Sequence, residues 1–137
     1  MRALLDLAIN EDGRPIQLKD VGRRQQISLS YLEHLIIPLI SAGLIKSARG
    51  SNGGIWLAKP PEQIRLDEVV EILEGAIAPV DCVRNARACA RSGKCATQDL
   101  WTELKVAMEK VLESTTLQDL VERQKRKESV TDSMYYI

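Results

Sequence analysis

The chain has 137 residues, with 19 Lys+Arg against 19 Asp+Glu and a formal net charge of zero. That length suits one domain, or one small domain with an appendage, and it can bury a core without disulfide staples. With 45% hydrophobic and 28% charged residues the composition is globular rather than disordered, and the neutral total argues at first against nucleic acid.

Leu4, Leu5, Leu7 and Ala8 form an apolar helical stretch, ended by the turn formers Asn10-Glu11-Asp12-Gly13. Residues 16–26 read as a second short helix, with Ile16, Leu18 and Val21 available to a core. Ser28 is a candidate N-cap for a third helix carrying Leu32, Leu35, Ile36 and Leu39 and closed by Gly43. Pro38 lies inside that helix and should cost it a hydrogen bond or kink it. Two short helices across a tight turn, the second opening on small polar residues, form a helix-turn-helix pattern; any small α-hairpin would show the same. In the DNA-binding form, the second helix enters the major groove by its N-terminus. Short side chains there let the backbone approach phosphates while a Glu or Gln reaches base edges.

Leu44 to Arg49 then alternates like a strand, Ser51-Asn52-Gly53-Gly54 is a tight turn, and Ile55 to Ala58 is a second strand. A basic hairpin directly after a helix-turn-helix is a wing. Arg49, near its tip, is placed for a minor groove, and Pro60-Pro61 closes the unit. Residues 64–73 form an amphipathic helix with an acidic outer face, and residues 79–98 are an irregular segment holding all three Cys. Leu100 to Leu112 is a long helix with a Leu100, Leu104, Met108 and Val111 stripe. Since the DNA-binding unit is already complete, that stripe predicts a dimer interface. Residues 116–124 add a short helix.

The expected fold class is mostly α with a small β-hairpin wing: a winged helix-turn-helix plus a long dimerisation helix. Residues 1–61 are the DNA-binding module, 62–78 a connecting helix, 79–98 a cysteine loop, 99–124 dimerisation helices and 125–137 a solvated tail. Aromatic residues are scarce, with two Trp, three Tyr and no Phe, so the core must come from Leu, Ile, Val and Ala.

The charge is unevenly spread. Residues 14–59 carry seven bases and two acids, whereas residues 60–137 are net −3 and the first 13 residues net −2. The neutral total therefore conceals a basic module of +5, a footprint suited to phosphate contact. Double-stranded DNA returns as the expected partner. No apolar run approaches membrane-spanning length and the N-terminus lacks signal-peptide organisation, so the expected location is cytoplasmic. Nothing suggests an enzyme: there is no phosphate-binding Gly loop and no recognisable catalytic carboxylate pair, and His34 has no nucleophile beside it.

Cys82, Cys89 and Cys95 are odd in number and clustered, unlike a secreted disulfide framework. Between the first and last lie Arg84, Arg87, Arg91 and Lys94 and no acid, a setting that stabilises thiolates or a negatively charged metal centre. Zinc normally takes four ligands, commonly in CxxC pairs, and neither is present. Reactive sensor thiols, an iron–sulfur cluster with an open fourth position, and three unliganded cysteines all remain.

The residues that carry a family resemblance are Ile27-Ser28-Leu29-Ser30-Tyr31-Leu32-Glu33, then Leu35 to Gly50 with Gly53-Gly54. To these are added the Cys triplet followed by Leu100-Trp101, and Thr116-Leu117-Gln118-Asp119-Leu120. Over nearly its whole length the chain resembles the Rrf2 family of winged-helix regulators, including its iron–sulfur- and nitric-oxide-sensing members. The resemblance implies a homodimeric, cluster-controlled transcriptional regulator of repressor type, reading a palindromic operator. It implies DNA contact by Ser28, Ser30, Tyr31 and Glu33, and minor-groove entry by Arg49. It also implies Cys82, Cys89 and Cys95 as ligands of a 2Fe-2S cluster, or of 4Fe-4S as in gas sensors. Members with a His ligand carry it three residues after the last Cys, where this chain has Gln98. The fourth position is thus open to Gln98, a partner carboxylate or an exogenous thiol. The family's first helix also begins earlier, so Met1 falls partway along it.

Overall fold

A computed structural model describes residues 1–134. Its elements are α1 (Arg2–Ile9), α2 (Leu18–Gln25), α3 (Leu29–Ser41), β1 (Ile45–Ala48) and β2 (Gly54–Leu57), followed by α4 (Leu66–Glu74), α5 (Asp81–Arg84), α6 (Ala96–Glu113) and α7 (Leu117–Met134). The mostly helical architecture with one hairpin is the one expected. No helix among the described residues is long and apolar enough to cross a membrane.

The core is aliphatic, as the scarcity of aromatic residues requires. Leu4 and Leu7 of α1, Val21 of α2, and Leu32, Ile36 and Leu39 of α3 meet Leu44, Ile45, Ile55 and Leu57 of the hairpin and Val69 and Leu117 beyond it. The strands pair antiparallel, with Ile45 opposite Leu57 and Ala48 opposite Gly54. Ile16 adds a short third rung, exchanging both backbone hydrogen bonds with Ile55 at 2.9 and 2.8 Å. This rung ties the chain entering α2 to the hairpin. The turn is closed by the Gly53 N–H donating to the Gly50 carbonyl at 3.0 Å, one residue earlier than the sequence suggested.

α3 ends as Gly43 predicts. Gly43 has φ 72° and donates to the Ile40 carbonyl, while Leu44 donates to Leu39, both at 2.9 Å, which satisfies the orphan carbonyls of the last turn. Pro38 sits inside α3, with no N–H to offer the preceding turn, and the helix continues to Ser41.

Two expectations change. The segment 79–98 is not wholly irregular: Asp81–Arg84 forms one helical turn, Ala86–Ala88 a 3-10 turn, and α6 already begins at Ala96. The final helix does not end at Gln124 but runs to Met134, so most of the expected tail is helical; residues 135–137 lie outside the described residues. Its start is fixed by a reciprocal cap. The Thr116 N–H and hydroxyl donate to the Asp119 carboxylate at 2.8 and 3.0 Å, and the Asp119 N–H donates back to the Thr116 hydroxyl at 3.2 Å.

Candidate nucleic-acid interface and cysteine segment

The turn between α2 and α3 sets how the second helix is presented. Gln26 takes a left-handed conformation (φ 54°), and Ile27 donates to the Gly22 carbonyl at 2.9 Å. A Cβ on Gly22 would lie 2.9 Å from the Ile27 carbonyl oxygen and 3.4 Å from the Leu32 side chain, so only glycine admits this approach. Ser28 then caps α3, its hydroxyl accepting from the Tyr31 N–H at 3.4 Å.

With Leu32, Ile36 and Leu39 committed to the core, the outer face of α3 carries Ser30, Tyr31, Glu33, His34 and Ile37, all exposed. Tyr31 and Ile37 keep 57% and 62% of their surface in solvent. The expected contact residues Ser28, Ser30, Tyr31 and Glu33 thus share one end of one helix. Arg49 lies exposed directly after β1, at the start of the hairpin loop.

The basic character of this module is more concentrated than the count suggested. Arg14 pairs with Asp12, Arg23 with Asp20, Arg24 with Asp6 and Lys59 with Glu68. Lys19, Lys46 and Arg49 make no ion pair among the described residues, and two of these three are on the wing. Sequence reasoning missed the Asp6 site. Asp6 is 3% exposed and accepts from Arg24 Nε at 3.0 and 3.1 Å, from Arg24 Nη2 at 2.6 Å and from Gln25 Nε2 at 2.9 Å. The bonded carboxylate holds the Arg24 guanidinium still further on its protonated side. The only sequence signal was a lone Asp in the apolar run Leu4-Leu5-Asp6-Leu7.

The three cysteines are free thiols: Cys82 on α5, Cys89 just after the 3-10 turn, and Cys95 at the N-cap of α6. Cys95 Sγ lies 3.0 Å from the Thr97 hydroxyl. That hydroxyl first, then the Gln98 and Thr97 backbone N–H groups and the charge of Arg91, hold its thiol below the ordinary range. Gln98 is engaged in tying the loop together. Its amide nitrogen donates to the Cys82 carbonyl at 3.0 Å and to Ser92 Oγ at 2.8 Å, while its oxygen accepts from the Gly93 N–H at 2.9 Å. Three thiols suit iron–sulfur chemistry in donor type. In placement they do not: among the described residues no three Cys, His, Asp or Glu side chains are close enough to hold a metal ion.

A recognition helix bearing exposed polar and aromatic side chains, next to a hairpin with unpaired cations, defines a winged-helix DNA-binding protein. The Rrf2 family model, described as an iron-dependent transcriptional regulator, matches residues 1–123. Protein rrf2 of Nitratidesulfovibrio vulgaris is 42% identical over 120 residues, covering 88% of this chain and 80% of that protein. Among solved structures, CymR, the global cysteine regulator of B. subtilis, aligns with a TM-score of 0.75 at 35% identity over 88% of each chain. IscR of T. potens aligns with a TM-score of 0.77 at 33% identity, over 98% of this chain and 89% of that one. The chain belongs to the Rrf2 family. It is a DNA-binding transcriptional regulator and not an enzyme.

Proposed function

We propose that the chain acts in the cytoplasm as a homodimer, laying α3 of each protomer in the major groove of a palindromic operator. Ser28, Ser30, Tyr31 and Glu33 contact the duplex there, and Arg49 enters the adjacent minor groove. The observation that carries the dimer is the two-faced character of α6. Trp101, Lys105, Glu109 and Leu112 are half-buried along one side of α6, which packs against α4. Leu100, Leu104, Met108 and Val111 keep 59%, 42%, 38% and 63% of their surface exposed on another side. An apolar stripe over several turns of a helix is a partner-binding surface.

The segment from Cys82 to Cys95 is the proposed signal input, because it abuts the N-terminus of that same helix. Cys82, Cys89 and Cys95 are the residues that would hold an iron–sulfur cluster, and the family description as iron-dependent supports that reading. Such a cluster supplies a group that iron supply, oxidation or nitric oxide can alter. Loading would need the three separated thiols to come together in the loop that Gln98 ties. The separation of the thiols and their free state also favour a second reading, in which they respond directly by oxidation.

Anaerobic purification followed by iron and sulfide counts and a visible spectrum separates the two. A cluster gives coloured protein with matching iron and sulfide. Colourless protein that resists reconstitution refutes the cluster and leaves the thiol reading.

A further inference from the structure

The sequence holds a single histidine, His34, which belongs to neither the core nor the cysteine segment. It lies on α3, where Leu32, Ile36 and Leu39 are the buried residues. At about 100° per residue, His34 stands roughly 140–160° around the helix from each of those three, on the line most remote from the core. Ser30, one turn earlier, and Ile37 and Ser41, further on, occupy the same side and are exposed. Tyr31 and Glu33 flank that line. His34 is therefore on the face that α3 would turn to the floor of a major groove.

The imidazole is exposed and makes no hydrogen bond or ion pair among the described residues. Its titratable neighbours on α3 are Tyr31 and Glu33. The elements packed on α3 are α2, with Lys19, Asp20, Arg23 and Arg24, α4, with Asp67, Glu68, Glu71 and Glu74, and β1, with Lys46. Asp20, Asp67 and Glu68 are already paired, with Arg23, Arg65 and Lys59. Imidazole is the side chain whose ordinary pKa puts a charge change between about pH 5 and 8, and once protonated both its nitrogens donate. Guanine presents two acceptors, N7 and O6, side by side in the major groove.

We propose that His34 reads a guanine edge of the operator as the imidazolium, so that binding takes up a proton and operator affinity depends on pH. The inference rests on α3 lying in the major groove and adds a base-reading residue to that interface. The anionic duplex and the guanine acceptors favour the charged ring, so the bound ring keeps its proton to higher pH than the free ring. The affinity so gained is fully present below the free-protein value and is lost as pH rises through the bound one.

Anisotropy titration of the tag-free full chain tests it, at one ionic strength, with a palindrome selected from a random duplex pool at about pH 6. Circular dichroism verifies that each variant is folded. Wild type should bind about five-fold or more tighter near pH 6 than near pH 8, and His34→Gln should change less than about two-fold. Because the chain has one histidine, its ring proton signal is unambiguous in NMR, and its titration should move to higher pH when the duplex is added. Wild-type binding that ignores pH, or a slope that survives in His34→Gln, overturns the proposal and leaves DNA binding standing. An equal slope on a scrambled duplex overturns base reading in favour of a phosphate contact. Absence of salt-sensitive binding to any duplex overturns the interface itself.

Discussion

Replacing Asp6 by Asn tests whether α1 is clamped to the helix-turn-helix by charge. In the wild type, both carboxylate oxygens accept from Arg24, and one also accepts from Gln25. Asn keeps one acceptor and turns the other into a donor aimed at the guanidinium, so at least one short contact becomes repulsive. Removing one partner of a fully buried pair costs about 3–5 kcal/mol. Arg24 retains 34% of its side-chain surface in water, and that access lowers the expected loss to about 2–3 kcal/mol. For a domain of this size the melting point should fall by roughly 6–12 °C. Urea unfolding of both proteins at one fixed protein concentration is the appropriate assay, since dimerisation couples stability to concentration. A cycle with Arg24→Met should show that the double variant loses less than the two single losses added together. A loss for Asp6→Asn below about 0.5 kcal/mol, the range of ordinary surface changes, refutes the clamp.

Arg49→Ala should weaken operator binding on all sequences alike and reduce the salt slope by about one, measured by anisotropy over a salt series. Glu33→Ala should instead relax the preferred sequence, at about 1–3 kcal/mol on the cognate site, seen by selection from a random duplex pool. Gln98→Ala releases the Cys82 carbonyl, Ser92 and Gly93 together, so amide exchange at Gly93 and alkylation of the thiols should speed up with little change in melting; unchanged rates count against the tie. The Thr116 backbone N–H and hydroxyl hold the Asp119 carboxyl below its ordinary range. Its folded-state value is the lower one, so its contribution is present above the unfolded value and fades as pH falls through the folded one. The stability gap between wild type and Asp119→Ala should therefore narrow from neutral pH to about pH 3, and a constant gap contradicts this.

The DNA-binding half was legible because its elements announce themselves locally. Ser28 caps, Gly43 terminates, and strand alternation around a Gly-rich turn makes the hairpin. What escaped was carried by distant or surface pairs. Asp6 and Arg24 are far apart in sequence, and no periodicity announces a bidentate pair between neighbouring helices. By composition the polar run from Arg123-Gln124-Lys125 onward reads as solvated, whereas the Thr116–Asp119 cap and good helix formers carry α7 to Met134. Gln98 was singled out because of its distance from Cys95 along the chain. Its side chain instead closes the loop that the cysteines occupy.

In the proposed function, α3 and the wing grip a palindromic duplex and the cysteine segment sets the grip. Anaerobic anisotropy titration of a pool-selected palindrome, with protein before and after iron–sulfur reconstitution, tests it most directly. The expected result is salt-sensitive binding of two protomers per site, with an affinity that shifts on reconstitution and does not shift in Cys95→Ser. Binding without salt dependence, or an identical affinity in both forms of the wild-type protein, contradicts it.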